Sequence, residues 1–330
     1  MAESSLTINL SVLRTAVIRF MGYGEPDIAW AAVNAGYQAD VTSIIARGMR
    51  QFYTPEPVLG ERRGHEWSFL RKSEFIELNA PSAPTQTVTV VAGVGTMTGG
   101  TLATWIAGGV ARLNGAGVYH HIATRDSDTQ FTLNDTSVSA AALSTVRFYD
   151  HIKDLPDDFG GVDGAVTYDP GQQYQAVQMT SDARIRVLAQ QSANQGPPSL
   201  YAIRPRTWPA SGTSSTRHEI MFFPFPDAAY AVQMSYKVLA GALAGATDVP
   251  LGGAGHSETL ISSCLAIAEQ YGVTQKSNHR ETYLRHLTAS VVRDRGSGGG
   301  NLGYNRDRSD DTLQRWVPIR NPNMTTTYTP

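Results

Sequence analysis

Among its 330 residues the chain has a single cysteine, Cys264. No disulfide can close within it, and every zinc site built on two or more thiolates is excluded. Lysine is nearly as scarce, because 23 of the 27 basic residues are Arg and only 4 are Lys. That ratio favours fixed, multidentate contacts to carboxylates and carbonyls over solvated point charges. Neither sign of charge is in excess: 29 acidic residues leave a net charge of −2, so there is no polycationic footprint for gripping nucleic acid. No apolar run approaches the length of a bilayer span, and the opening MAESSLTINL has no basic stretch followed by an apolar one. The expectation is a soluble chain without a secretion signal.

Present in quantity are glycine, at 31 residues, and a hydrophobic fraction of 41%. Together they suit a chain of packed modules with many turns and short strands. Apolar residues at helical spacing predict a helix over Ile8–Met21, capped by Thr7 and stopped by Gly22 and Gly24, and a second over Tyr37–Tyr53 with the stripe Val41, Ile44, Ile45, Met49 and Phe52. Residues 81–147 change grammar: Val88, Val90, Val91, Val118, Tyr119, Ile122, Phe131 and Leu133 are separated by Gly, Asn and Asp clusters, which predicts a small β-meander or barrel. Further strands are expected at 184–190, 200–204, 219–223 and 229–238, the last with Tyr230, Val232, Met234 and Tyr236 on one face. Helical spacing returns at Leu260, Ile261, Cys264 and Leu265, then at Tyr283, Leu284, Leu287, Val291 and Val292.

The expected fold class is therefore α+β. N- and C-terminal helices form a bundle, β-rich modules are inserted between them, and an extended arm ends the chain. The corresponding parts are 1–80, 81–147, 148–250, 251–295 and 296–330. The last part opens with GSGGGN and leads to Trp316, Val317, Pro318 and Ile319; it has too little apolar surface for a core and reads as an arm that orders on another surface.

Catalytic motifs are weak or missing. Gly298, Gly300 and Gly303 match G-x-G-x-x-G, but no strand precedes them and no helix follows, so they read as linker. P-loop, G-x-S-x-G and H-E-x-x-H patterns are absent. His120 and His121 adjoin in an expected strand and so point to opposite faces, which prevents them from sharing a metal. Cys264 lies on an apolar stripe and reads as a small core hydrophobe. Asp126 and Asp128 lack the remaining ligands of a calcium loop and read as a charged turn; Asp157 and Asp158 read as turn formers. Trp67, Phe69 and Leu70 read as core anchors, as do Arg50, Phe52 and Tyr53. No cofactor is expected and no enzyme emerges.

Several phrases in order along the chain carry a resemblance: DVTSIIARGMRQFY at 40–53, HEWSFL at 65–70, TLNDTSVSAAALSTVRFYDHIKDLPDDFGG at 132–161, YAIRP at 201–205 and FFPFPDAAYAVQMSYKVL at 222–239. Together they resemble the head-to-tail connector, or neck adaptor, proteins of tailed double-stranded DNA bacteriophages. GTMTGG and ATRDSDTQFTLND resemble family members that carry an extra barrel.

The resemblance implies a virion protein whose copies form a ring, usually twelvefold, beneath the portal. Its partners would be other copies of itself, the portal, a tail or tail-completion protein, and duplex DNA that passes through the lumen without tight binding. It also implies that the arm docks on the portal, for which Arg306, Arg308, Arg315, Trp316 and Ile319 are the candidate contacts. Arg47 and Arg50 on the second helix, with Arg280 and Arg285 on the last, are candidates for the subunit interface through pairing with carboxylates. A tail-tube or tail-completion role is the rival within the same class. From another class, the β insert would bind host glycan through Trp105, Tyr119 and Trp208.

Overall fold

A computed structural model describes residues 4, 6–24, 28–58, 60, 62–83, 87–113, 119–143, 146–172, 174–191, 194–206, 217–271 and 278–297. Its helices are α1 (Leu10–Met21), α2 (Ala35–Tyr53), α3 (Asp182–Gln191), α4 (Ser257–Tyr271) and α5 (His279–Ser297). The strands begin with β1 (Arg71–Leu78), β2 (Val88–Val91), β3 (Val94–Met97), β4 (Val110–Leu113), β5 (Tyr119–Arg125), β6 (Gln130–Leu133), β7 (Ala140–Leu143) and β8 (Val146–Tyr149). They continue with β9 (Ile152–Asp154), β10 (Phe159–Val162), β11 (Thr167–Tyr168), β12 (Gln178–Met179), β13 (Leu200–Pro205), β14 (His218–Phe223) and β15 (Tyr230–Val238). The fold is α+β. The chain divides into two compact units, residues 1–68 with 243–330, and residues 69–242.

In the first unit α4 packs against α1, α2 and α5. Local chemistry sets the ends of these helices. Asn9, not Thr7, caps α1, its side chain accepting from the Val12 amide at 3.0 Å, and Asn34 caps α2 by accepting from the Gly36 amide at 2.9 Å. The expected stripe of α2 is buried as Val41, Ile44, Ile45, Met49 and Phe52. Polar side chains stitch the helices together: Ser263 Oγ donates to the Gly48 carbonyl at 2.8 Å and Tyr283 Oη to the Gln51 carbonyl at 3.0 Å. On α5 the stripe is narrower than expected, since Tyr283, Leu287 and Val291 are buried while Val292 is 57% exposed. The helix also runs through Gly296 to Ser297, two residues into the stretch expected to be arm.

Among the described residues the second unit holds three sheets. Strands β2 to β8 make the seven-stranded sheet, in the order β7-β2-β3-β6-β5-β4-β8, around Val88, Val90, Ile106, Ile122, Phe131 and Phe148. Here Phe131 lies across the strand from Gly95, and a Cβ on Gly95 would stand 2.2 Å from its ring; the missing side chain makes room for the aromatic one. A second sheet places β1 and β10 on either side of β15, which β11 also joins. Its buried residues Tyr230, Val232, Met234 and Tyr236 keep the expected alternation. The third sheet has the order β12-β13-β14-β9.

One expected strand is instead a helix: residues 184–190 lie in α3. Ser181 accepts from the Arg184 amide at 3.3 Å at its start, and Asp182 pairs with Arg186 one turn on at 3.0 Å. Ile185, Leu188 and Ala189 face a core of Tyr149, Ile152, Met221 and Phe223, a helical spacing that a run of two or three apolar residues read as alternation conceals.

Candidate functional site

The quoted phrases fold into framework. Residues 40–53 lie within α2. From HEWSFL, Trp67 is buried, and its indole Nε1 donates to the Phe52 carbonyl at 2.8 Å with the two rings 4.8 Å apart. Phe69 and Leu70, expected in the core, are only half-buried, and Arg50 is exposed. Behind Trp67, Asp294 of α5 gathers three donors: Ser68 Oγ at 2.5 Å, the Ser68 amide at 3.0 Å and His65 Nε2 at 2.7 Å. Burial pushes the Asp294 carboxyl up, but the bonds from Ser68 and His65 outweigh it and hold the carboxyl below its usual range. Serine and histidine each bind the aspartate rather than each other, so this is a tie between segments and not a charge-relay arrangement.

A buried polar network crosses the second unit. Glu219 on β14, 1% exposed, receives Arg204 Nε of β13 on Oε1, and Arg204 also reaches Asp182 of α3 at 3.3 Å. Arg206 pairs with Asp154 of β9 at 2.5 Å. His121 Nε2 stands 3.5 Å from Glu219 Oε2, yet burial, followed by the charge of Arg206, brings its pKa down to about 4. The contact is therefore not an ion pair at neutral pH. His151, packed 4.4 Å from the Phe225 ring, is pushed down to about 3 by burial and by Arg204. His151 and Asp154 fall in the 132–161 phrase and Arg204 in YAIRP, but five separate segments supply the network.

The other expected residues sort as follows. His120 and His121 do not converge: His121 is in the network and His120 is half-buried. Cys264 is buried, which pushes its thiol up to about 12, the opposite of what a nucleophile requires. Asp126 accepts from Thr124 at 2.7 Å and Thr132 at 2.6 Å, while Arg125 pairs with Asp128 at 2.5 Å, the charged turn anticipated above. Asp157 and Asp158 separate, to Arg217 at 3.2 Å and the Tyr236 hydroxyl at 3.1 Å. Among the described residues no group of three or more His, Cys, Asp or Glu side chains could hold a metal ion, and no helix is long and apolar enough to cross a membrane.

Of the arginines expected at an interface, Arg47 donates to Tyr271 Oη at 3.1 Å with its guanidinium 5.3 Å from that ring, Arg280 meets Glu56 at 3.6 Å, and Arg285 meets Glu281 at 2.6 Å. Both ion pairs are exposed on each side, where such pairs contribute little. Two of the glycan candidates are packed rather than displayed: Trp105 lies against the core of the seven-stranded sheet, and Tyr119 sits edge-on to Tyr149 and His151. Trp208, together with Arg306, Arg308, Arg315, Trp316, Ile319, Gly298, Gly300 and Gly303, lies outside the described residues.

Sequence reasoning missed a cleft of about 310 Å³ lined by residues 74–77 of β1, by residues 153–156 at the end of β9 and just after it, and by Met234. Both flanking strands are sheet edges: β1 hydrogen-bonds only to β15 and β9 only to β14 among the described residues. RKSEFIEL alternates exposed and half-buried positions over part of its length in the structure, but with Phe75 and Ile76 adjacent its sequence has no strict polar–apolar alternation to hint at this. No family model matches the chain, and no curated protein matches it.

Proposed function

We propose that the protein is a structural connector of a tailed phage: a neck adaptor whose copies form a ring, twelvefold like the portal above it, that joins portal to tail and encloses the path of the genome. The observation that carries this reading is the place of the family-like phrases in the fold. The 40–53 phrase and HEWSFL meet at the bond from the Trp67 indole to the Phe52 carbonyl, and FFPFPDAAYAVQMSYKVL supplies the end of β14 and all of β15, the strand that pairs with β1, β10 and β11. What resembles the family is thus packed framework, as suits a protein that acts by shape and assembly.

A near-neutral balance of charge fits the same role. Each phosphate neutralised by a fixed cation adds to a salt-dependent hold on the duplex, and a conduit must let DNA slide. The Arg-rich, Lys-poor composition favours bonds between subunits over a general cationic coat. In this reading the chain is made in the bacterial host and ends in the virion, and residues beyond α5 serve docking.

Two measurements test the proposal. Imaging of assembled particles should place the protein in the neck as a ring between portal and tail. A chain lacking residues 298–330, which leaves α5 whole, should stay folded by circular dichroism but fail to join portal-containing heads. Absence of the protein from purified virions, or co-purification with isolated tails instead of tailless heads, would overturn the adaptor assignment.

A further inference from the structure

β1 is eight residues long and, among the described residues, paired on one side only. Strands of this kind present a row of backbone donors and acceptors that natural proteins cover or blunt. Here the edge is not blunted by a proline or bulge, and it carries Phe75 at 56% exposure. It also opens into the cleft described above, which brings Glu74 and Glu77 together with Lys153 and Asp154. The two latter charges are already met, Lys153 by Asp150 at 2.5 Å and Asp154 by Arg206 at 2.5 Å. Glu74 and Glu77 have no cation within 4 Å among the described residues, and Glu74 Oε2 is buried without a hydrogen-bond partner. The cleft therefore holds two carboxylates outside any ion pair among the described residues, although the charge of Lys72 acts on Glu74, and they lie one on each face of a strand edge, since residues three apart on a strand point to opposite sides. An unpaired carboxylate oxygen out of water is costly unless a donor reaches it.

The sequence beyond α5 contains a segment that fits these requirements. Residues 312–320 read TLQRWVPIR, a stretch with no acid, with Trp, Val and Ile suited to extended backbone, and with Arg315 and Arg320 on opposite faces of any strand it forms. Its one proline is tolerated where a strand is outermost and its N–H position faces away from the ladder. We propose that residues 312–320 of one copy add as an outer strand to β1 of the neighbouring copy, with their arginines on Glu74 and Glu77. In an antiparallel register that sets Glu74 opposite Arg320, Phe75 meets Ile319, Leu78 meets Trp316, and Arg315 is one diagonal step from Glu77, a distance long side chains cross. Residues 298–311 span at most roughly 50 Å when extended. Such a contact is head-to-tail, the type that closes rings rather than dimers. The inference rests on the ring reading above and names the bond between its subunits; docking of the same segment on the portal is the competing outcome.

The test uses full-length protein. Glu74→Arg with Glu77→Arg, and separately Arg315→Glu with Arg320→Glu, should each weaken self-association on the order of tenfold or more by sedimentation velocity, and the chain carrying all four changes should regain it. Phe75→Cys with Ile319→Cys should give, on mild oxidation, a ladder of covalent oligomers on non-reducing gels; buried Cys264 does not compete. A crosslink confined to single chains, no crosslink at all, or charge reversals that leave assembly intact while abolishing only portal binding would overturn the proposal. Absence from virions would instead end the adaptor reading and leave a crosslinked ladder unexplained by it, so the two failures are told apart.

Discussion

The Cβ that Gly48 lacks would stand 2.7 Å from both the Cα and the Sγ of Cys264, so α2 and α4 meet at backbone distance. Such an approach allows Ser263 Oγ to reach the Gly48 carbonyl. Gly48→Ala adds helix propensity of about 1 kcal/mol but drives a methyl group into the backbone of α4, which no side-chain rotation relieves. We expect a net loss of roughly 1–3 kcal/mol, read as a lower midpoint in urea unfolding. A rise in stability would show that the helices separate without penalty.

Cys264 should be silent as a thiol. It is 1% exposed, and burial raises its pKa to about 12, so almost no thiolate exists at neutral pH. Reaction with a disulfide reagent at pH 8 should be negligible in the native chain and should reach one thiol per chain in denaturant. Rapid native labelling would contradict the packing of α4 against α2.

Acid should destabilise the second unit through two buried histidines. His121 and His151 fold with pKa values lowered to about 4 and about 3, while unfolded histidine sits near 6.5. The unfolded chain then binds more protons, so stability is fully present above pH ~6.5 and is lost as pH falls toward 4 and then 3. The melting temperature should drop between pH 7 and pH 4.5, and His151→Phe should flatten that drop. A melting temperature constant across this window would refute the neutral, buried assignment.

Glu219→Ala should cost about 3 kcal/mol or more, because it leaves Arg204 facing a buried site without its carboxylate. Glu219→Gln, which keeps the volume, should lose less. Both are measurable by chemical denaturation with DNA-free, purified protein. Equal stability of the alanine variant and the parent would mean that Asp182 alone satisfies the arginine.

Much of this fold is legible in the amino-acid order. Helices α1, α2, α4 and α5 announce themselves by stripes long enough to fix a period, and β15 by four alternating apolar residues. α3 does not, because seven residues with four apolar positions, Ile185, Val187, Leu188 and Ala189, fit either period and only the core they meet decides. Phe69 and Leu70 show the same limit: being apolar next to a buried tryptophan does not place a residue inside.

By itself, the sequence determined the α+β class, the turn-rich middle, the inert cysteine and the charge balance, since each follows from local periodicity or composition. Tertiary structure alone decided which edges stay open and which charges meet. Glu219 with Arg204 and His121, and Glu74 beside Leu155, come together from distant segments through strand pairing. Contacts across such separations depend on register, where a shift of one residue reverses every side chain, and no local pattern encodes that choice.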